Sequence, residues 1–209
     1  MEIEVKFQAR DAEDLERLPA YLAALPVEVH IGDRERVTDL YLDTGDWRLF
    51  RAGYACRMRW RGGHRWLGLK GLDPPRDGVV RRAEYECRLP AGVREPAEIP
   101  PGVLDGYLDA LRRGAALRPL FELLQLRKPH LLRRADGLVV EASADEVRFE
   151  EGDRRVVLHQ VELELKAGPE EGLHELARLL ARSSGWKRAL GSKFEQGLLF
   201  AGLQPLPLA

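Results

Sequence analysis

Cysteine is scarce in this 209-residue chain. Cys56 and Cys87 are too few for a disulfide scaffold or a thiolate zinc site, and both read as small packing residues on apolar strand faces. Long apolar runs are missing too. None approaches the roughly 18 residues that span a bilayer, so no membrane partner is expected. Neither charge is in excess, with 33 Lys and Arg against 34 Asp and Glu, which argues against a generally basic nucleic-acid binder. The opening MEIEVKF carries charge where a secretory leader needs its apolar stretch, and a cytoplasmic protein is the expectation. No G-x-x-x-x-G-K-[ST] is present, which argues against a P-loop enzyme. His30, His64, His130, His159 and His174 lack metal-ligand spacing, and each is expected to be solvated. Ser183, Ser184 and Ser192 belong to no nucleophile elbow; Ser192 reads as a turn residue beside Lys193.

What is present is a chain with 44% hydrophobic and 32% charged residues, suited to a folded domain. Eight segments read as strands by period-two alternation or β-rich composition: 2–8, 36–43, 54–61, 65–71, 80–89, 125–134, 138–147 and 156–166. Short turns such as Gly62-Gly63 and Ala135-Asp136-Gly137 join neighbours, so the sheet should be mainly antiparallel. Pro129 sits where a ladder donor is expected. Three helical patterns interrupt the strands. Asp11 caps one carrying Leu15, Leu18 and Leu22, which Pro19 should break or kink. Val103, Leu104, Tyr107, Leu108 and Leu111 form a second apolar stripe, and 170–182 a third. The expectation is one domain over 1–204, with a helical insertion at about 102–124 and a frayed tail at 205–209. Trp47, Trp60, Trp66 and Trp186 are expected to pack helices onto the outside of the sheet.

The alternation sorts charge onto one face. Glu2, Glu4 and Lys6 oppose Ile3, Val5 and Phe7; Arg57, Arg59 and Arg61 oppose Cys56, Met58 and Trp60. Arg82, Glu84, Glu86 and Arg88 share a face, as do Glu141, Ser143 and Asp145, and then Glu162, Glu164 and Lys166. More than a dozen ions cannot sit in a dry core, because burying even one costs several kcal/mol. Either this face meets bulk water, as in an ordinary half-solvated sheet, or it lines a hydrated cavity, which eight antiparallel strands can enclose as a barrel. Carboxylate pairs would suit Mg²⁺ or Mn²⁺. Arginine forks and lysine point charges suit phosphate oxygens. A small polyanion carrying a metal, such as a phosphate chain, fits both.

The run E2-I3-E4-V5-K6 resembles the ExExK signature of the CYTH superfamily, the triphosphate tunnel metalloenzymes. The similarity continues in order through Y41-L42-D43-T44-G45-D46, G53-Y54-A55-C56-R57-M58-R59, L67-G68-L69-K70-G71, R82-A83-E84-Y85-E86, L126-R127-K128, E141-A142-S143-A144-D145, E162-L163-E164-L165-K166 and S192-K193-F194-E195. The resemblance implies an α+β fold: a closed eight-stranded antiparallel barrel, or tunnel, with a charged interior and flanking helices, binding a triphosphate and Mg²⁺ or Mn²⁺. By matching position it makes Glu2, Glu4, Glu162 and Glu164 the main metal ligands, with Asp145 and Glu141 beside them. Lys6, Arg57, Arg59, Lys70, Arg82, Arg127 and Lys193 would grip phosphates, Lys70 and Arg82 acting in catalysis. Glu84 and Glu86 match the motif without a settled division of roles. Gly68 departs from the pattern, standing where a hydroxyl residue is common, and Lys166 stands where some members carry a third acid. The LGLKG, RRAEYE and SKFE segments lean toward inorganic triphosphatases. The expected activity is hydrolysis of tripolyphosphate to pyrophosphate and phosphate; a class IV adenylyl cyclase, a thiamine triphosphatase and a non-catalytic polyphosphate or nucleotide sensor are the alternatives.

Overall fold

A computed structural model describes residues 1–189 and 191–205; the rest of the expected tail lies outside the described residues. The chain opens with β1 (Glu2–Gln8), two short helices α1 (Ala12–Glu16) and α2 (Leu18–Ala23), and strands β2 (Glu28–Ile31) and β3 (Glu35–Thr44). Asp11 caps α1 through its side chain, and Pro19 sits in the first turn of α2, so the predicted break falls between two helices. After α3 (Arg48–Arg51) come β4 (Tyr54–Arg61) and β5 (His64–Gly71), joined by Gly62 and Gly63, both at positive φ. The expected strand at 80–89 is two strands, β6 (Val80–Arg82) and β7 (Glu84–Arg88), separated at Ala83. A helical connection ending in α4 (Tyr107–Arg112) leads into the long strands β8 (Leu117–Arg133), β9 (Val139–Glu151) and β10 (Arg154–Ala167). Helix α5 (Glu170–Ser184), the short β11 (Lys187–Arg188) and α6 (Lys193–Ala201) complete the order.

The predicted insertion at 102–124 is therefore shorter than expected. Its helix ends at Arg112, and 117–124 is strand. Leu104 and Asp105 adopt left-handed angles, so the stripe that looked like one helix is a 3₁₀ turn followed by α4. Periodicity alone could not register that kink.

The strands run β1-β10-β9-β8-β3-β4-β5-β7, every neighbouring pair antiparallel. Closure comes from the split at Ala83: β7 pairs with β5, whereas β6 crosses to β1, matching Glu2 with Arg82 and Glu4 with Val80. Nine strands rather than eight thus complete the ring. The short β2 and β11 are added at its margins, on β8 and β1. Pro129 is tolerated because β8 changes partner beside it, from β2 (Ile31 opposite His130) to β3 (Glu35 opposite Arg127).

Both faces of the ring are covered. Outside β1, β9 and β10, Val5, Phe7, Val140 and Leu163 pack under α1, α2 and α5, whose stripe buries Leu173, Leu176 and Leu180. Outside β3, β4 and β5, Leu42, Met58, Leu67 and Leu69 pack with Leu49 and Leu108. A third cluster is internal to the sheet's curve: Tyr41, Phe121, Leu123, Val147 and Phe149 meet Phe194, Leu198 and Phe200 of α6. This helix was not foreseen. Ser192 is its cap, its hydroxyl accepting from the Glu195 amide while the Glu195 carboxylate accepts from the Ser192 amide. Gly197 lets α6 dock, since a Cβ there would stand 2.0 Å from the Phe121 ring.

Two expectations need correction. His130 is fully buried rather than solvated, Nδ1 facing the Ala142 carbonyl at 3.1 Å and Nε2 without a partner; burial pushes its pKa down. Trp186 packs an outer helix layer as expected and donates to Asp14, but Trp47 packs on Phe50 beside the inner aromatic cluster. Cys56 is buried and Cys87 packs against the same outer core.

Candidate functional site

Strand parity and register bring the charges together. With Ile3, Val5 and Phe7 packed outward, Glu2, Glu4 and Lys6 turn into the ring. Register then sets Glu4 opposite Glu164 and Lys6 opposite Glu162. On the next strands, Glu141 faces Glu164 and Asp145 faces Arg127. Across the ring, Arg59 pairs with Asp39 and Lys70 with Glu84. These side chains enclose a cavity of about 400 Å³. Among the described residues nine Lys and Arg line it against six glutamates; Glu4, Asp39 and Asp145, buried behind that lining, pair with Arg82, Arg59 and Lys193 and bring acids level with bases.

All seven expected phosphate-binding residues line this cavity: Lys6, Arg57, Arg59, Lys70, Arg82, Arg127 and Lys193. Of the six expected metal ligands, Glu2, Glu141, Glu162 and Glu164 line it too. Glu4 and Asp145 do not. Glu4 accepts from Arg82 at 2.5 Å and lies 3.2 Å from Lys6. Asp145 is wholly buried, accepting from Lys193 at 2.6 Å. Arg61 and Lys166 join the lining without having been assigned a role.

The acids divide into two groups. Glu2, Glu84 and Glu164 each bring a carboxylate oxygen to within 4.8 Å of the others. Burial raises the pKa of Glu2, but Lys70 at 2.7 Å and Arg82 at 2.6 Å outweigh it and hold the carboxyl well below the usual range. Glu164 goes the other way: burial pushes it up, the neighbouring Glu2 adds to the rise, and Lys166 only partly opposes it. Three crowded carboxylates of this kind are hard, anionic donors, the chemistry a small divalent cation takes. Glu84 completes the trio.

The second group, like the first, where Lys70 also lies 3.0 Å from Glu84, is paired with cationic side chains. Glu162 accepts from Lys193 at 3.0 Å and lies 2.9 Å from Lys6. Burial opposes its charge, yet Lys193, Lys6 and Arg127 hold its pKa well below normal. Arg127 donates to Ser143 at 2.7 Å and lies within 3.3–3.7 Å of Glu141, Asp145 and Glu162. Lys193 stands at the first turn of α6, where a helix dipole disfavours a cation; Asp145 and Glu162 offset that cost.

Asp39 was not anticipated. It is wholly buried, holds Arg59 through two bonds of 2.6 and 2.7 Å, and accepts from Gln125 at 2.8 Å. Its place in phase with Tyr41 on a strand of apolar and hydroxyl neighbours was the available signal. Arg59 is thereby committed, whereas Arg57 is held loosely, 3.6–3.9 Å from Asp39, Glu84 and Glu86, with Nε unpartnered. Gly68 lies opposite Arg57 and supplies no hydroxyl to that Nε. Burial lowers the pKa of Lys70, and the nearby Arg57 lowers it further.

A family model for the CYTH domain matches residues 1–197. Among solved structures, a candidate adenylate cyclase from Bacillus halodurans superposes with a TM-score of 0.65 at 19% identity, over 94% of this chain and 96% of its own. A candidate adenylyl cyclase from Hippeastrum, described as having a dominant triphosphatase activity, gives 0.61 at 19% identity, over 98% and 97%. A protein from Pyrococcus horikoshii gives 0.55 at 19%, over 95% and 98%. At such identities the likeness speaks to the fold. No helix among the described residues is long and apolar enough to cross a membrane.

Proposed function

The chain belongs to the CYTH domain family, and from that footing we propose that it is a metal-dependent triphosphatase, hydrolysing inorganic tripolyphosphate to pyrophosphate and phosphate. The observation that carries this reading is the bore itself: nine Lys and Arg converge on about 400 Å³, donors enough for the oxygens of a small polyanion, beside a trio of carboxylates. Glu2, Glu84 and Glu164 would hold Mg²⁺ or Mn²⁺, sharing Glu2 and Glu164 with the set expected from sequence. The bound ion would neutralise phosphate oxygens and orient the chain.

The remaining work falls to the protein's own groups. Arg57, loosely held and lacking a partner at Nε, is poised to take a phosphate oxygen without breaking a strong pair. Arg127 and Lys193 exchange their carboxylate contacts for phosphate ones. Water adds to the terminal phosphorus, its protons staying on the orthophosphate formed, and the bond to the pyrophosphate oxygen breaks, with charge developing on that oxygen. Lys70 and Arg82, fixed on Glu2, stabilise this charge because they are already oriented. Lys70, its pKa lowered by burial and by Arg57, is placed to pass a proton to the leaving group.

Phosphate release should be measured from tripolyphosphate, ATP and thiamine triphosphate, with Mg²⁺ or Mn²⁺ and with chelator. Tripolyphosphate should turn over fastest, and chelation should stop it. Cyclic AMP from ATP would reassign the protein as a cyclase; tight binding of triphosphates without turnover would make it a sensor.

A further inference from the structure

Of the arginines that reach into the bore, Arg82 stands on the shortest strand. Arg57 and Arg59 on β4 and Arg127 on β8 each have a paired strand on either side. Arg82 ends β6, three residues long, whose sheet neighbour among the described residues is β1 alone. With Arg82 turned inward, strand parity turns Val79 and Arg81 out. Val79 is buried in the outer core. Arg81 reaches the first turn of α5, where its Nε donates to Glu170 Oε2 at 3.2 Å and its Nη2 donates to Oε1. His174, one turn further along α5, brings Nε2 to 2.9 Å from the same Oε1, so the carboxylate is also held by its own helix.

Helix α5 is a firm post for that contact. Leu173, Leu176 and Leu180 are fully buried, and Gly172 lies so near Leu138 that a Cβ there would stand 2.7 Å from its Cδ2. Consecutive arginines thus hold β6 from opposite sides of the wall: Arg82 on Glu2 and Glu4 inside, Arg81 on Glu170 outside. Phosphate oxygens compete with the glutamates for the inner guanidinium. The outer pair lies across the wall from the bore, where no phosphate competes for it. We propose that Glu170 is a positioning residue for the reaction: through Arg81 it fixes β6, and with it the place of the Arg82 guanidinium against the charge developing on the leaving oxygen. The proposal rests on the triphosphatase reading and adds to it a residue outside the bore. A donor that meets charge formed only in the transition state acts on kcat, and a misplacement of about 1 Å can cost about 100-fold.

Steady-state hydrolysis of tripolyphosphate by the full chain, with Mg²⁺ or Mn²⁺, tests this. Glu170→Ala should lower kcat about tenfold while KM changes less than about twofold. Arg81→Gln should do the same, and the double variant should lose no more than either alone, because both remove one contact. Glu175→Ala breaks a different ion pair of the same helix, to Arg134 at 2.6 Å, and should leave kcat unchanged. The urea midpoints of all four variants should stay near that of the unaltered protein, as for partly exposed pairs. Unchanged kcat in Glu170→Ala, an equal loss in Glu175→Ala, or losses of kcat that follow losses of stability overturn the proposal and leave the triphosphatase reading standing. An unaltered protein that hydrolyses no tripolyphosphate removes that reading, and the proposal with it.

Discussion

The inward face of β8 and β9 is two materials in one wall. Toward α6 it presents Phe121, Leu123, Val147 and Phe149; a few residues further along the same strands it presents Arg127, Asp145 and Glu141. Gln125 and Asp145, both wholly buried, stand at the join. The aromatic part excludes water from one side of the ions, which strengthens every attraction among them and obliges each to be paired. The difference teaches that alternation sets only which way a side chain points. What the inward side is made of changes along the strand, according to whether a helix plugs the ring at that level.

Removing material from the aromatic part tests whether it acts mainly as support. Phe149→Ala empties a fully buried site and should cost about 3–5 kcal/mol of stability, read by denaturant unfolding, while metal-dependent turnover of the protein that remains folded falls much less. A comparable loss of turnover without loss of stability would break the comparison. Glu2→Gln probes the ionic part. It removes charge from the carboxylate trio and the anchor of Lys70 and Arg82, so turnover should fall about 100-fold or more with the fold retained by circular dichroism. The join itself should show in acid. Burial raises the pKa of Asp39, but Arg59 and Arg57 bring it down to about 2 from an ordinary 3.8. A depressed carboxyl contributes stability that is complete above its unfolded value and is lost as the pH falls through its folded one. That contribution is about 2 kcal/mol, so the stability gap between the unaltered protein and Asp39→Asn should narrow as the pH drops from about 4 toward 2. A gap that stays constant would mean Arg59 does not depend on the Asp39 charge.

Much of the ring was legible because its strands are short-range statements. Glu2–Lys6, Arg57–Arg61 and Glu162–Lys166 alternate with residues that need an apolar environment, and a pleated strand converts that into two faces. The hydrated alternative to bulk exposure was also legible, since so many ions demand water. Pairings between distant segments were not. Asp39 meets Arg59 across two strands, and Lys193 reaches Asp145 from a helix; neither spacing leaves a local trace. The role of α6 was hidden for a related reason. Phe194, Leu198 and Phe200 form an apolar stripe like those of the outer helices, and nothing in a stripe says whether it covers a sheet or stops its interior. His130 was misread because a polar side chain on an outward strand face is solvated only if no helix lies over it.

The interruption at Ala83 has a mechanical consequence. A hoop fastened by three matched positions, Glu2 with Arg82, Ile3 with Arg81 and Glu4 with Val80, has its clasp where the ionic grip is also anchored. The Arg82 guanidinium adds side-chain bonds to Glu2 and Glu4 across that same fastening, whereas the long staves β8, β9 and β10 hold one another by extended ladders. One arginine thus belongs both to the clasp of the hoop and to the wall of the bore.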